Sequence, residues 1–213
     1  MTAHLAEAER VWQGVETRRD KTPRRKTKAR RIWEVVVSQR LQGKRAIVTG
    51  GGLGVGRGAA IKLAEEGASV AVLDVNLESA QQVAASIIDA GGEVLALRTN
   101  VVDEAQLENS VKEAEKQFGG LDIVIANAGI MLFGRGTVAT DLDLGTWQQC
   151  IDVNLTGMFL TCKHGPRALQ RNAGGSVIIT ASPTGTHGCA PTFTAYTTSK
   201  AGTLGLMRIL AID

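Results

Sequence analysis

Arg45-Ala46-Ile47-Val48-Thr49-Gly50-Gly51-Gly52-Leu53-Gly54-Val55-Gly56 is the stretch whose reading decides the fold. Its first five residues read as a strand buried on both faces, because no polar residue alternates with Ala46, Ile47 and Val48. The glycines that follow allow a sharp turn, and a helical pattern over 55–66 opens directly out of it. At such a junction glycine lets the main chain approach a pyrophosphate, whose charge is held by N–H groups at the helix N-terminus. A glycine string alone is weak; its place between a strand and a helix gives it weight.

The alternation continues outward. Strands are predicted at Ser69–Leu73, Val94–Leu97, Asp122–Ala126 and Ser176–Thr180, with helices at Glu78–Ala90, Glu104–Phe118, Leu144–Asn172 and Ala195–Ile212. Gly91-Gly92 stops the second helix, and Gly165-Pro166 is expected to break or bend the long one. Unalternated strands separated by helices indicate a parallel sheet covered on both faces, hence a doubly wound α/β domain.

Composition agrees. The chain has 213 residues, 44% of them apolar, with 25 glycines and few aromatics, which suits an α/β domain rich in tight turns. No apolar run approaches the roughly 18 residues of a membrane span, and the N-terminus lacks the apolar centre of a secretory signal. Cys150, Cys162 and Cys189 form no CxxC pair, so they read as free thiols with no disulfide framework and no metal site, and the expected location is cytoplasmic. The net charge of +3 is uneven: residues 18–31 hold nine basic residues and one acid. Such a block repels itself and buries little, so residues 1–40 are read as a basic, disordered extension or an artefact of start-site choice. No aromatic is interleaved for base stacking, which argues against nucleic acid. Glu7, Glu9 and Glu16 argue against a transit peptide, and no membrane partner is expected.

Asp74 ends the second predicted strand, where a dinucleotide fold places an acid about 20 residues beyond the glycine turn. Its carboxylate can accept hydrogen bonds from adenosine ribose hydroxyls and repels a 2′-phosphate. Neither Val75 nor Asn76 is basic, and Leu53 stands where a phosphate-binding base could sit, so NAD is favoured over NADP. Arg57 is the counter-argument, and a turn residue capping the next helix is the plainer reading of Asp74. Asn127-Ala128-Gly129 closes the fourth strand with small residues that keep the carboxyl edge of the sheet open. Tyr196 and Lys200, four apart at the start of a helix, share one face, where an ammonium stabilises a phenolate for proton exchange with a substrate oxygen. A surface helix pair is the alternative for an isolated Tyr-x-x-x-Lys.

Together, Thr49–Gly56, Asp74, Asn127-Ala128-Gly129, Val153-Asn154-Leu155, Ser182 and Tyr196-Thr197-Thr198-Ser199-Lys200 resemble the short-chain dehydrogenase/reductase family in order and near-family spacing. The resemblance implies a Rossmann-type doubly wound parallel sheet in three α/β/α layers over residues 41–213. It implies an NAD(H)-dependent oxidoreductase that interconverts a secondary alcohol and a ketone. Tyr196 would be the general acid/base, Lys200 would bond the nicotinamide ribose, and Ser182 would polarise the substrate oxygen. Asn154 would place a water linking Lys200 to solvent; its plainer reading is a polar residue bonded to backbone. Cofactor contacts would come from Gly50, Gly52, Leu53, Gly54, Val55 and Gly56, from Asp74 and Val75, from Asn100 and Val101, and from Asn127, Ala128 and Gly129, with Tyr196 and Lys200 at the nicotinamide end. Family members commonly form dimers or tetramers through the helices at about 144–172 and 195–212, so a homo-oligomer is expected.

Three features depart from the family pattern. The Ser182-to-Tyr196 spacing of 14 is one longer than the common value, with the extra residue expected in the Cys189–Thr192 loop. Ala181 replaces a frequent second Ser, and His187 in the loop between Ser182 and Tyr196 is read as an exposed residue, with substrate contact as the alternative. Family members continue past the Tyr/Lys helix with further strands and a substrate lid, whereas this sequence ends at Asp213. The expectation is therefore a domain lacking the last strands, with its fifth strand at an apolar sheet edge. A dinucleotide-binding remnant without catalysis stays open, as does an NADPH-dependent 3-oxoacyl-type reductase, which Asp74 argues against.

Overall fold

The structure is a computed structural model that describes residues 39–188 and 191–212. The basic run at 18–31 and its expected disorder lie outside the described residues, as do Cys189 and Ala190 of the proposed insertion.

Five strands form one parallel sheet: β1 (Arg45–Thr49), β2 (Ser69–Asp74), β3 (Val94–Arg98), β4 (Ile123–Ala126) and β5 (Ser176–Ile179). Their order is β3-β2-β1-β4-β5. Val48 stands beside Val72 of β2 on one side and Ile125 of β4 on the other, so β1 is the central strand. The chain winds from β1 outward through β2 and β3, then returns to β4 and winds the other way. That reversal leaves a crevice beyond the carboxyl ends of β1 and β4, the place where such sheets bind ligands.

The helices between strands are α1 (Gly54–Glu65), α2 (Leu77–Asp89), α3 (Glu104–Phe118), α4 (Leu144–Ile151), α5 (Gly157–Arg171) and α6 (Thr194–Leu210). Three of them start on local capping. Asn76, Asp103 and Asp143 accept hydrogen bonds from the N–H groups of Ser79, Gln106 and Thr146, supplying partners the helix cannot provide itself. Successive strand residues point to opposite faces and build two cores. Ile47, Leu73 and Val124 pack with Leu107 and Val111 of α3 and Leu160 and Leu169 of α5. Val48, Val70 and Val72 pack with Ala60 of α1 and Val83 and Ile87 of α2. The three-layer arrangement follows from this division.

The long helical stretch corrects one expectation. Gly165-Pro166 does not break it: α5 runs through Pro166. A Cβ at Gly165 would stand 2.9 Å from both methyl groups of Val124, so the bare glycine lets α5 lie tightly on β4, and that packing offsets the one bond Pro166 cannot donate. The irregularity lies earlier, in the π-helical turn Asp152–Thr156, where the Gly157 N–H reaches back to the Asp152 carbonyl. Such wide turns often carry functional residues, and this one buries Asn154 completely. As expected, β5 is an edge strand; Val177 and Ile178 are exposed there.

Candidate active site

The glycine turn is held by contacts that tolerate no side chain. Gly50 adopts φ +62°, and a Cβ there would stand 2.8 Å from Ala128 Cα. At Gly56 a Cβ would lie 2.1 Å from the Gly50 carbonyl oxygen and 2.5 Å from Asn127 Nδ2. Asn127 binds the turn to the neighbouring strand: its Nδ2 donates to the carbonyls of Thr49 (3.1 Å) and Gly50 (3.2 Å), and its Oδ1 accepts from Thr180 Oγ1 (3.1 Å). The buried Thr49 Oγ1 accepts from the N–H groups of Asn127 and Ala128. The end of β1, the Asn127-Ala128-Gly129 segment and the end of β5 therefore form one rigid floor.

Above this floor lies a cavity of about 660 Å³. Gly50, Leu53, Gly54, Val55, Asp74 and Val75 line it at one end, with Asn100 and Val101 beside them and Asn127, Ala128 and Gly129 at its base. Tyr196 and Lys200 close the other end. Gly52 and Gly56 do not line it. Gly52 is buried against Asp74, and Gly56 lies beneath the turn.

Each end has a distinct character. Leu53 occupies the N-cap of α1 without a side-chain hydrogen bond, unlike the capping residues of α2, α3 and α4. The first N–H groups of α1 thus remain open to an anionic ligand. Asp74 is held by two backbone donors: the Gly52 N–H to Oδ2 at 2.9 Å and the Asn76 N–H to Oδ1 at 3.0 Å. It does not cap α2, since Asn76 does, and each carboxylate oxygen keeps lone-pair capacity for a further donor. Asn100 is oriented by its own turn: its N–H donates to Gln106 Oε1, and its Oδ1 accepts from the Val102 N–H.

At the far end Tyr196 and Lys200 share a face of α6, with the Lys200 Nζ 5.8 Å from the Tyr196 ring centroid. Lys200 is 3% exposed, and its Nζ donates to the Thr180 carbonyl at 2.9 Å. Burial pushes the Lys200 ammonium below its ordinary value, while nearby Cys150 acts in the opposite direction. Phe193 meets Tyr196 edge-on, with ring centroids 6.3 Å apart.

Asn154 lies behind the cavity wall. Its Oδ1 accepts from the Ile130 N–H (2.7 Å), and its Nδ2 donates to the Ile130 carbonyl (2.9 Å) and to Ser199 Oγ (3.1 Å). Asn154 Oδ1 and Lys200 Nζ lie 3.2 and 3.5 Å from the point a Gly129 Cβ would occupy, so both groups converge on Gly129. Ser182 is placed differently. It sits at the head of the short turn Pro183–Gly185, and its Oγ accepts from the N–H and hydroxyl of Thr184. It is not among the cavity's lining residues. His187 is exposed, and its Nδ1 pairs with the Thr186 hydroxyl.

Sequence reading missed several residues. Thr99, Ile130, Met131, Gln149, Val153 and Thr180 also line the cavity, and Ser199 supports it from behind. Thr180 had a usable signal, because it ends a strand at the carboxyl edge of the sheet. Thr99 carries the same signal after β3, and Val153 stands within the Val153-Asn154-Leu155 motif; the rest are brought to the cavity by packing between segments far apart in sequence.

Comparison with known proteins agrees with this geometry. The family model described as short chain dehydrogenase matches residues 44–213. The chain is 33% identical over 180 residues to a cyclohexanol dehydrogenase of Acinetobacter sp. (strain SE19), a match that covers 84% of this chain and 70% of that protein. It is 37% identical over 187 residues to a (-)-trans-carveol dehydrogenase of Rhodococcus erythropolis, covering 82% of this chain and 66% of that one. Among solved structures, an NAD+-bound xylitol dehydrogenase superposes with a TM-score of 0.77 at 31% identity, covering 82% of this chain and 66% of its own. The chain thus spans about two thirds of the length of these relatives. With the parallel sheet, the glycine turn and the Tyr196–Lys200 pair already in place, the match settles the family: the chain belongs to the short-chain dehydrogenases/reductases, oxidoreductases that act on CH–OH donors.

Proposed function

We propose that this protein is an NAD(H)-dependent oxidoreductase that interconverts a secondary alcohol and a ketone, with Tyr196 as general acid/base. The observation that carries this reading is the single cavity with uncapped helix N–H groups and Asp74 at one end and the Tyr196–Lys200 pair at the other. A nicotinamide dinucleotide suits that donor set, and when bound it supplies the hydride chemistry. The first turn of α1 would hold its pyrophosphate, and Asp74 and Asn100 would face its adenosine.

Tyr196 would pass a proton to or from the substrate oxygen. Lys200 spends one of its three donors on the Thr180 carbonyl, which leaves two for a ribose hydroxyl and for stabilising the Tyr196 phenolate. Asn154 holds the Ile130 backbone beside them. Ser182 would need to turn its O–H towards the substrate oxygen; its lone pairs, not its proton, are engaged by Thr184. NAD over NADP is supported by Asp74 at the ribose end and by the apolar Leu53 and Val75 around it, which give a 2′-phosphate a like charge and no basic partner. The cyclic alcohols named for two relatives make cyclohexanol and carveol the first substrates to try.

The test is Tyr196→Phe. NAD+-dependent oxidation of a panel of cyclic and linear secondary alcohols should vanish while NADH binding, followed by fluorescence, persists. Undiminished turnover in this variant would overturn the reading. A second reading, dinucleotide binding without turnover, draws support from Ser182, which faces Thr184 and lies outside the cavity. NADH binding by the wild type with no turnover across the panel would favour it.

A further inference from the structure

Behind the cavity, Asn154 belongs to a chain of buried polar residues whose other members the proposed mechanism leaves unused. Ser199 is fully buried, as are Asn154 and Thr203, and Cys150 is nearly so. Ser199 Oγ lies 2.7 Å from the Tyr196 carbonyl, one turn back in α6, and the hydroxyl's only proton goes there. Its lone pairs are therefore presented to Asn154 Nδ2 at 3.1 Å, where Cys150 Sγ is a weaker acceptor at 3.4 Å. The Ile130 N–H can only donate, so it requires Asn154 Oδ1 on its side. The amide is thus fixed by the Ile130 N–H at its oxygen and by the Ile130 carbonyl at its nitrogen, and Ser199 Oγ ties that nitrogen to α6.

That fixed orientation has a consequence for the site. Asn154 Oδ1 and Lys200 Nζ approach Gly129 together, and Ser199 immediately precedes Lys200 in α6. We infer that Ser199 is a positioning residue: acting through the Asn154 amide and the Tyr196 carbonyl, it holds the Ile130 backbone and the start of α6 in register for proton transfer at Tyr196. This rests on the oxidoreductase reading above and extends it to a residue that touches neither cofactor nor substrate. Thr198, the residue before it, gives the contrast. Its hydroxyl also bonds back within α6, to the Thr194 carbonyl at 2.9 Å, but it is exposed and reaches no other segment.

The experiment compares Ser199→Ala, Ser199→Cys and Thr198→Ala in the full chain. For Ser199→Ala, kcat should fall about tenfold as the reacting groups lose alignment. The NADH Kd should stay within about twofold, because the cavity floor is held separately by Asn127. The solvent deuterium isotope effect on kcat should rise as proton transfer becomes more limiting. Ser199→Cys, which keeps a weak acceptor in the same place, should fall between Ser199→Ala and the wild type. It decides the matter if the alanine variant fails to fold. Thr198→Ala should match the wild type. Wild-type kcat in Ser199→Ala overturns the inference, and so does a parallel loss of kcat, NADH affinity and melting temperature with an unchanged isotope effect. Undiminished turnover in Tyr196→Phe would instead remove the reading beneath it.

Discussion

Three glycines within one turn of sequence should respond to alanine in three different ways, and the differences follow from what a Cβ would meet. At Gly56 the new carbon would stand 2.1 Å from the Gly50 carbonyl oxygen and 2.5 Å from Asn127 Nδ2, far inside contact distance with backbone that has no room to retreat. The turn must open, and the two bonds from Asn127 to the Thr49 and Gly50 carbonyls open with it. Overpacking of this kind costs roughly 1–3 kcal/mol, and two lost hydrogen bonds add about 1 kcal/mol each. A total of about 3–5 kcal/mol lowers Tm by roughly 6–20 °C in a domain of this size. At Gly54 nothing lies within 4 Å, but φ is +55°, so alanine bears only left-handed strain of about 1–2 kcal/mol. Gly58 has open space and ordinary helical geometry, and alanine there should stabilise by about 0.5–1 kcal/mol. Thermal melts of the three variants, with NADH titration of each, provide the assay. Gly56→Ala should also lose NADH affinity because Gly50 lines the cavity. A Gly56→Ala melt equal to or above that of Gly54→Ala would refute the close-packing argument.

Other outcomes follow from single groups. Asp74→Ala should weaken NADH binding and relax the preference for NADH over NADPH; parallel titrations check it, and an unchanged ratio would remove Asp74 from cofactor selection. Glu66 is held at about 2, mainly by the Arg40 guanidinium bonded to it, against an ordinary 4.5. Because its folded value is depressed, its contribution is present above pH 4.5 and is lost as the pH falls towards 2. Melting temperatures of the wild type and Glu66→Gln should therefore differ at pH 7 and converge by about pH 2; a constant gap would show that the ion pair is not responsible. Burial pushes the Cys162 thiol up to about 11, and Cys150 is raised by the same cause. Both should resist iodoacetamide at pH 8 in the native protein and react after denaturation, as peptide mapping would show.

Much of the cavity lining was legible because its signals are local. A glycine turn, an acid at the end of the next strand and a Tyr-x-x-x-Lys pair each lie within a few residues of a strand end or helix start, where backbone geometry is dictated by short-range sterics. Their gathering around one cavity follows from parallel topology, in which every strand's carboxyl end faces the same edge. The expected break at Gly165-Pro166 misled because proline's local preference was overridden by the packing of Gly165 on Val124. Sequence also could not reveal that the irregular turn sits at Asn154.

Residue order and spacing by themselves determined the doubly wound α/β class, the strand sequence and the identity of Tyr196 and Lys200 as a pair on one helix face. Only the tertiary structure decided which groups face one another. Asn154 reaches Ile130 and Ser199, Lys200 reaches Thr180, and Gly56 lies against Gly50 and Asn127, whereas Ser182 turns to Thr184. Periodicity assigns a residue to a face. Hydrogen-bond partners across 20 to 45 positions of chain are set by how the helices pack on the sheet, and no local preference encodes them.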